Sequence, residues 1–173
     1  MKTVKVWDLP VRISHWGLAI CVLANLFITE DGSDIHSCLG YTAVGIVVFR
    51  LLWGLIGNRY ARFSDFWPTP ARLKTHASNM MHGKRDEHLG HNPFGALMML
   101  ALWAGVIGLG ITGWMMGTDQ FWGEDWVEDV HEVFADGMIF LISFHVVAVF
   151  LMSWYEKRNL VRSMINGNKN IDE

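Results

Sequence analysis

Leu97–Ile111 reads LMMLALWAGVIGLGI, fifteen residues without one charged or amide side chain. A surface helix of a globular protein carries polar side chains along one face at every turn, so this stretch is not one. Followed outward, the apolar run extends from Phe94 to Gly117, and three others resemble it: Ile13 to Thr29, Cys38 to Gly57 and Val133 to Tyr155. Each is 17 to 24 residues long. At about 1.5 Å of rise per residue, against a hydrocarbon core of about 30 Å, each can cross a bilayer once, the first only just. The prediction is an all-α transmembrane four-helix bundle, a single domain over residues 1–173, with helices at about 11–29, 36–57, 93–117 and 129–156. The continuity of the runs sets aside a soluble bundle.

The composition agrees: 51% of the residues are hydrophobic, 18% are charged and the net charge is −3. That excludes a disordered chain and a nucleic-acid binder with a basic groove. Lys2 and Lys5 precede the first run as in a cleaved signal peptide. No small-x-small cleavage pattern follows at Thr29-Glu30-Asp31-Gly32, and Ile20 is too bulky for a lipoprotein site at Cys21, so the first run is expected to stay as a helix.

Cytoplasmic loops retain Lys and Arg, and short translocated loops avoid them. All 14 basic residues fall in or near one set of segments: Lys2, Lys5 and Arg12; Arg50; Arg59, Arg62, Arg72, Lys74, Lys84 and Arg85; and Lys157, Arg158, Arg162 and Lys169. The connections Glu30 to Ile35 and Thr118 to Glu132 hold none, and carry Glu30, Asp31, Asp34, Asp119, Glu124, Asp125, Glu128, Asp129 and Glu132. Both termini are therefore expected in the cytoplasm of a bacterial cell, with an acidic outer face on the inner membrane. That face is either a by-product of excluding Lys and Arg or a dock for a basic partner.

The long middle loop, Asn58 to Asn92, starts with the stiff Trp67-Pro68-Thr69-Pro70. Ala71 to His82 reads as a short amphipathic helix on the inner membrane surface, with Met80 and Met81 on its apolar side. His76, His82 and His88 read as solvated loop residues. Cys21 and Cys38 form no Cys-x-x-Cys unit and read as buried small side chains.

Four other histidines, His15, His36, His131 and His145, lie in or at the edge of the apolar runs, where ionisable groups are expensive. With the amino terminus inside, His36 and His131 fall at the outer edge and His15 and His145 fall in the inner half. His131 and His145 are 14 residues apart, roughly 21 Å along a helix and close to four full turns, so they leave the same face. Two pairs of imidazoles at two depths suit two planar iron macrocycles with two axial ligands each. Haem b is expected, because no Cys-x-x-Cys-His attachment motif occurs. A closed zinc site wants four ligands, and each level offers two.

Arg50 stands 14 residues after His36, on the same helix face and one level deeper. It either pairs with a propionate of the inner haem or snorkels to the inner surface. Gly40, Gly45, Gly105, Gly108, Gly110 and Gly113 either leave room beside a flat ring or serve close helix packing.

Val6-Trp7-Asp8-Leu9-Pro10-Val11-Arg12-Ile13-Ser14-His15-Trp16, His36-Ser37-Cys38-Leu39-Gly40-Tyr41, Arg50-Leu51-Leu52-Trp53-Gly54, His91-Asn92-Pro93-Phe94-Gly95 and the His131/His145 spacing together resemble the prokaryotic cytochrome b561 family. That family includes cytochrome b subunits of membrane-bound hydrogenases and relatives of the formate dehydrogenase subunit. The similarity runs from about Val6 to Arg158. It implies two b haems, His15 with His145 inside and His36 with His131 outside, and electron transfer linked to the quinone pool.

Two axial imidazoles leave iron no open position, so one-electron transfer is the expected work. The family analogy puts a quinone at the inner haem, where Arg12, His91 and Asn92 gather, and Arg12 and Arg50 are counted with the cofactor-binding residues. His91 either relays protons or, with Asn92 and Pro93, only opens the third helix. The expected function is a respiratory-chain dihaem cytochrome exchanging electrons between quinol and a periplasmic c-type cytochrome or associated oxidoreductase. The alternative, a superoxide:quinone oxidoreductase, calls for a cationic outer funnel, and the outer loops lack Lys and Arg.

Overall fold

The computed structural model describes residues 2–84 and 89–171, so Arg85 and His88 lie outside the described residues. A short strand β1 (Lys2–Lys5) leads into α1 (Leu9–Phe27) and α2 (Asp34–Ile56). After a 3-10 turn at Arg59–Ala61 come the short α3 (Phe63–Phe66), α4 (Pro70–Met81), α5 (Pro93–Met116), α6 (Asp125–Tyr155), α7 (Leu160–Asn166) and a closing strand β2 (Asn168–Ile171). The four long helices α1, α2, α5 and α6 are apolar and long enough to cross a bilayer. Much of their apolar surface is open: Ile13, Ile20 and Phe27 on α1, and Phe140, Phe150 and Trp154 on α6, are all more than half exposed. Hydrocarbon is the environment that tolerates such faces. The fold is an all-α membrane helical bundle.

Three of the long helices, α1, α2 and α5, start where the sequence offers a cap. Asp8 accepts from the Val11 amide (2.9 Å), so α1 starts two residues before the expected boundary, with Pro10 in its first turn. Ser33 accepts from the His36 amide (3.2 Å) and opens α2. Asn92 accepts from the Gly95 amide (2.7 Å) with Pro93 as first residue of α5, which is the capping reading of His91-Asn92-Pro93.

The start of α6 departs from the expected boundary near residue 129. Asp125 to Glu132, read from the sequence as part of a connection, are helical. Val127 is fully buried there, and Asp125 and Glu128 sit in the first turn, where acidic side chains favour the helix dipole. At 31 residues α6 is about 46 Å long, well beyond a bilayer core.

Two compact units divide the chain: Met1–Ile13, Leu51–Leu100 and Phe144–Glu173 make the first, and Ser14–Arg50 and Ala101–Ser143 the second. The first contains a feature that helix periodicity does not announce. β1 and β2 pair antiparallel, with Lys2 opposite Ile171 and Lys5 opposite Asn168. The pairing brings the segments near the two ends of the chain side by side. Gly167 ends α7 in the left-handed conformation (φ 84°), and its carbonyl accepts from the amides of Val6 and Trp7. Val6, Trp7, Val11 and Ala61 form the buried cluster of this unit, with Trp53, Tyr60 and Met164 packed around it.

Asp8, nearly buried, is the polar anchor of the same unit. Besides the Val11 amide it accepts from Trp53 Nε1 (3.0 Å) and Asn58 Nδ2 (2.9 Å), which fixes the entry of α1 against the exit of α2. His76, expected to be solvated, is buried on α4, its ring edge-on to Phe94 at 5.3 Å between centres. His82 is exposed, as expected, and Met81 beside it is exposed as well. Cys21 is buried, whereas Cys38, also expected to be buried, is exposed on α2.

Candidate functional site

The second unit brings His36 of α2 and His131 of α6 close together. Their ring centres are 6.3 Å apart and the planes are inclined at 52°. Each Nδ1 meets a threonine hydroxyl: Thr112 Oγ1 of α5 lies 2.7 Å from His131 Nδ1, and Thr29 Oγ1 lies 3.3 Å from His36 Nδ1. His36 is held by its backbone too. Its amide is capped by Ser33, and its carbonyl accepts from Asn25 Nδ2 of α1 at 2.9 Å. Asp31 Oδ1 lies 4.0 Å from His36 Nδ1, with the Asp31 side chain fully exposed.

Small residues let the helices of this unit approach. A Cβ on Gly105 would run into Met138, one on Gly108 would lie 2.6 Å from the Phe134 ring, and one on Gly110 would run into Val44. Of the two readings of the α5 glycines, close packing describes these three. Gly113 is different: a Cβ there would lie 3.5 Å from His131 Cε1, in ordinary contact.

Arg50, also in the second unit, is buried with its guanidinium 5.4 Å from the Trp103 ring centre. A side chain reaching for the membrane surface would be exposed, so of the two readings snorkelling does not describe it. His15 lies in the same unit, half-buried, with its ring perpendicular to Trp16 at 5.0 Å. His145 belongs to the first unit, on α6, also half-buried.

The residues read from the sequence as a quinone end are in the first unit and carry structural contacts. The His91 ring packs 4.6 Å from Trp7 and 5.0 Å from Phe66, Asn92 caps α5, and Arg12 donates to the Ile165 carbonyl. Lys169, buried, donates to the Gly90 carbonyl at 3.2 Å and stands 5.4 Å from the Trp7 ring centre.

Sequence reasoning missed Thr112, Thr29 and Asn25. The signal for Thr112 is its isolation, since it is the one hydroxyl in Leu97–Gly117. Asn25 is likewise the one amide in Ile13–Thr29.

Two imidazoles are too few for a closed zinc site, and among the described residues no three His, Cys, Asp or Glu side chains converge as a metal site. They fit a metal whose other positions are filled by a macrocycle. The 6.3 Å between the ring centres leaves room for one metal ion between the two imidazoles. A membrane helical bundle with such a pair has the architecture of a b-type cytochrome. The family described as "Prokaryotic cytochrome b561" matches residues 6–167, and the chain belongs to it. It is a multi-pass b-type membrane cytochrome of electron transfer, and membership implies haem b. The chain is also 22% identical, over 96% of its length and 86% of the relative's, to a protein named "Probable Ni/Fe-hydrogenase B-type cytochrome subunit" from Bradyrhizobium diazoefficiens. No solved structure matches it.

Proposed function

We propose that this cytochrome carries two b haems, each held by two histidines, and passes electrons between the quinone pool and a redox partner on the periplasmic side of the inner membrane. The observation that carries the reading is the His36–His131 pair, with room for one metal ion between the rings. His36 and His131 hold the outer haem; His15 and His145 hold the inner one, on the depth and spacing argument from the sequence. Bis-imidazole haem b supplies a one-electron couple without an open coordination site.

The chain's own residues set the surroundings. Arg50, buried beside Trp103, supplies the cation for a haem propionate. Arg12 has further N–H donors beyond the one given to Ile165, and these serve the quinone end. Lys and Arg on one set of segments support a topology with both termini in the cytoplasm. The outer connections then present Asp119, Glu124 and Asp125 with the exposed Trp122 and Trp126, a face for a partner with basic residues. The relative's name favours an associated oxidoreductase of the hydrogenase kind over a diffusing c-type cytochrome.

The test is haem quantification and a potentiometric titration of the purified protein in detergent. Two low-spin b haems per chain are expected, in two one-electron steps. A preparation that binds no haem, or only one after reconstitution with excess haem, overturns the reading.

A further inference from the structure

We propose that Thr112 is the positioning residue of the outer site: its hydroxyl accepts the Nδ1 proton of His131 and so fixes the tautomer that leaves Nε2 able to bind iron. The inference rests on the proposed ligand role of His131.

A threonine hydroxyl has one proton and can accept through its oxygen. Thr112 is buried, and three acceptors lie within reach of its proton: the Gly108 carbonyl at 2.9 Å, the Leu109 carbonyl at 3.2 Å and His131 Nδ1 at 2.7 Å. The carbonyl four residues back is the ordinary receiver of a threonine proton within a helix. With the proton on Gly108, Oγ1 faces His131 as an acceptor. Nδ1 must then carry hydrogen, and Nε2 keeps its lone pair. The opposite assignment, with the hydroxyl donating to Nδ1, puts hydrogen on Nε2 and removes the metal-binding lone pair. Once His131 binds iron, only the first arrangement is consistent.

Two further observations make Thr112 specific. It is the one hydroxyl of α5's apolar core, where a polar side chain needs partners, and beyond its own helix's carbonyls that partner is the ring. The corresponding contact of His36 is looser: Thr29 Oγ1 is 3.3 Å away and also lies near the Asn25 carbonyl (3.4 Å) and Asn25 Oδ1 (3.3 Å). The strong hydrogen bond of the site is therefore on the α5–α6 side. A hydrogen bond accepted from Nδ1–H makes the imidazole a stronger donor to iron, which favours the oxidised state.

The experiment compares Thr112→Val with Thr112→Ser in the haem-loaded protein, by potentiometric titration and by low-temperature electron paramagnetic resonance of the oxidised form. Thr112→Val keeps shape and removes the hydroxyl. It should make one haem easier to reduce, shifting its reduction equilibrium about tenfold, or 59 mV for one electron, and should change that haem's low-spin signal. The second haem stays within twofold. Thr112→Ser should restore the wild-type potential and signal. Equal potentials in wild type and Thr112→Val, or equal shifts in Val and Ser variants, overturn the proposal. If Thr112→Val does not accumulate, Thr112→Cys, with its weaker hydrogen-bonding group, should shift the same haem in the same direction, and an unshifted Cys variant overturns the proposal equally. A wild type without haem instead defeats the functional reading, a distinguishable result.

Discussion

The two compact units use buried and partly buried polar groups in opposite ways. In the first, the Asp8 carboxylate accepts three hydrogen bonds, from Val11, Trp53 and Asn58, and Lys169 donates to the Gly90 carbonyl. These groups are satisfied by the chain itself and hold its segments together. In the second, His36 and His131 each engage the chain through Nδ1, with their ring centres 6.3 Å apart. A buried side chain whose hydrogen bonds all return to the fold is architecture. One that gives the fold a single nitrogen and turns toward a like ring is arranged for something besides the fold.

The largest effect that sharpens this contrast is expected from His131→Ala. It removes a ring while leaving α6, whose helix is set by its other residues. The haem content should fall from two to one per chain, with the remaining b haem titrating near its original potential. Pyridine haemochrome analysis against protein concentration measures the ratio. A variant that keeps both haems would make His131 architecture like Asp8, and the contrast would collapse.

How far the sequence carried this picture depends on the range of each interaction. The four spans were legible because burial in lipid acts on every residue of a run, and Leu97–Ile111 states it without ambiguity. The shared depth of His36 and His131 followed from the direction in which each span runs, since both stand where a span begins on the same side. What escaped was non-local and polar. The β1–β2 pair joins Lys- and Asn-rich segments more than 160 residues apart in the chain, and neither has the apolar alternation that marks a strand. His76 looked solvated because its loop is polar, yet its burial depends on Phe94, eighteen positions on. Asp8 stood out only as part of the opening motif, yet it caps α1 and ties down the end of α2 through Trp53 and Asn58. The early start of α6 escaped for another reason: charge marked Asp125 to Glu132 as a connection, while a helix tolerates acidic residues best at that end.

A smaller effect, on stability alone, is expected from Asp8→Ala. Hydrogen bonds to a charged group contribute about 1.5–3 kcal/mol each, and of the partners left behind here Val11 is buried and Trp53 partly buried. The loss should be about 3 kcal/mol, because water can rescue part of the exposed Asn58 amide. Thermal denaturation of the detergent-solubilised protein should shift down by several degrees. Haem content and both potentials should not change below the transition. A shift in either potential as large as that expected of Thr112→Val would mean that the first unit tunes the haems as well, and the division of labour would be wrong.

The smallest effect is expected from Thr29→Val, and it tests whether the division extends within the second unit itself. Thr29 Oγ1 is 3.3 Å from His36 Nδ1 and shares its reach with two oxygens of Asn25, so its hydrogen bond to the ring is weaker than that of Thr112 at 2.7 Å. His36 also has supports that His131 is not given by the same residues: Ser33 caps its amide and Asn25 holds its carbonyl. Those contacts set the backbone from which the ring projects, and the valine leaves them in place. The His36 side chain is 22% exposed, so water can replace a lost hydroxyl at Nδ1, whereas Thr112 is buried. Thr29→Val should therefore shift the reduction equilibrium of the outer haem less than twofold, measured in the same titration as Thr112→Val. A shift equal to that of Thr112→Val would show that hydrogen-bond length and burial do not govern the ring's donor strength here, and that His36 and His131 are tuned alike.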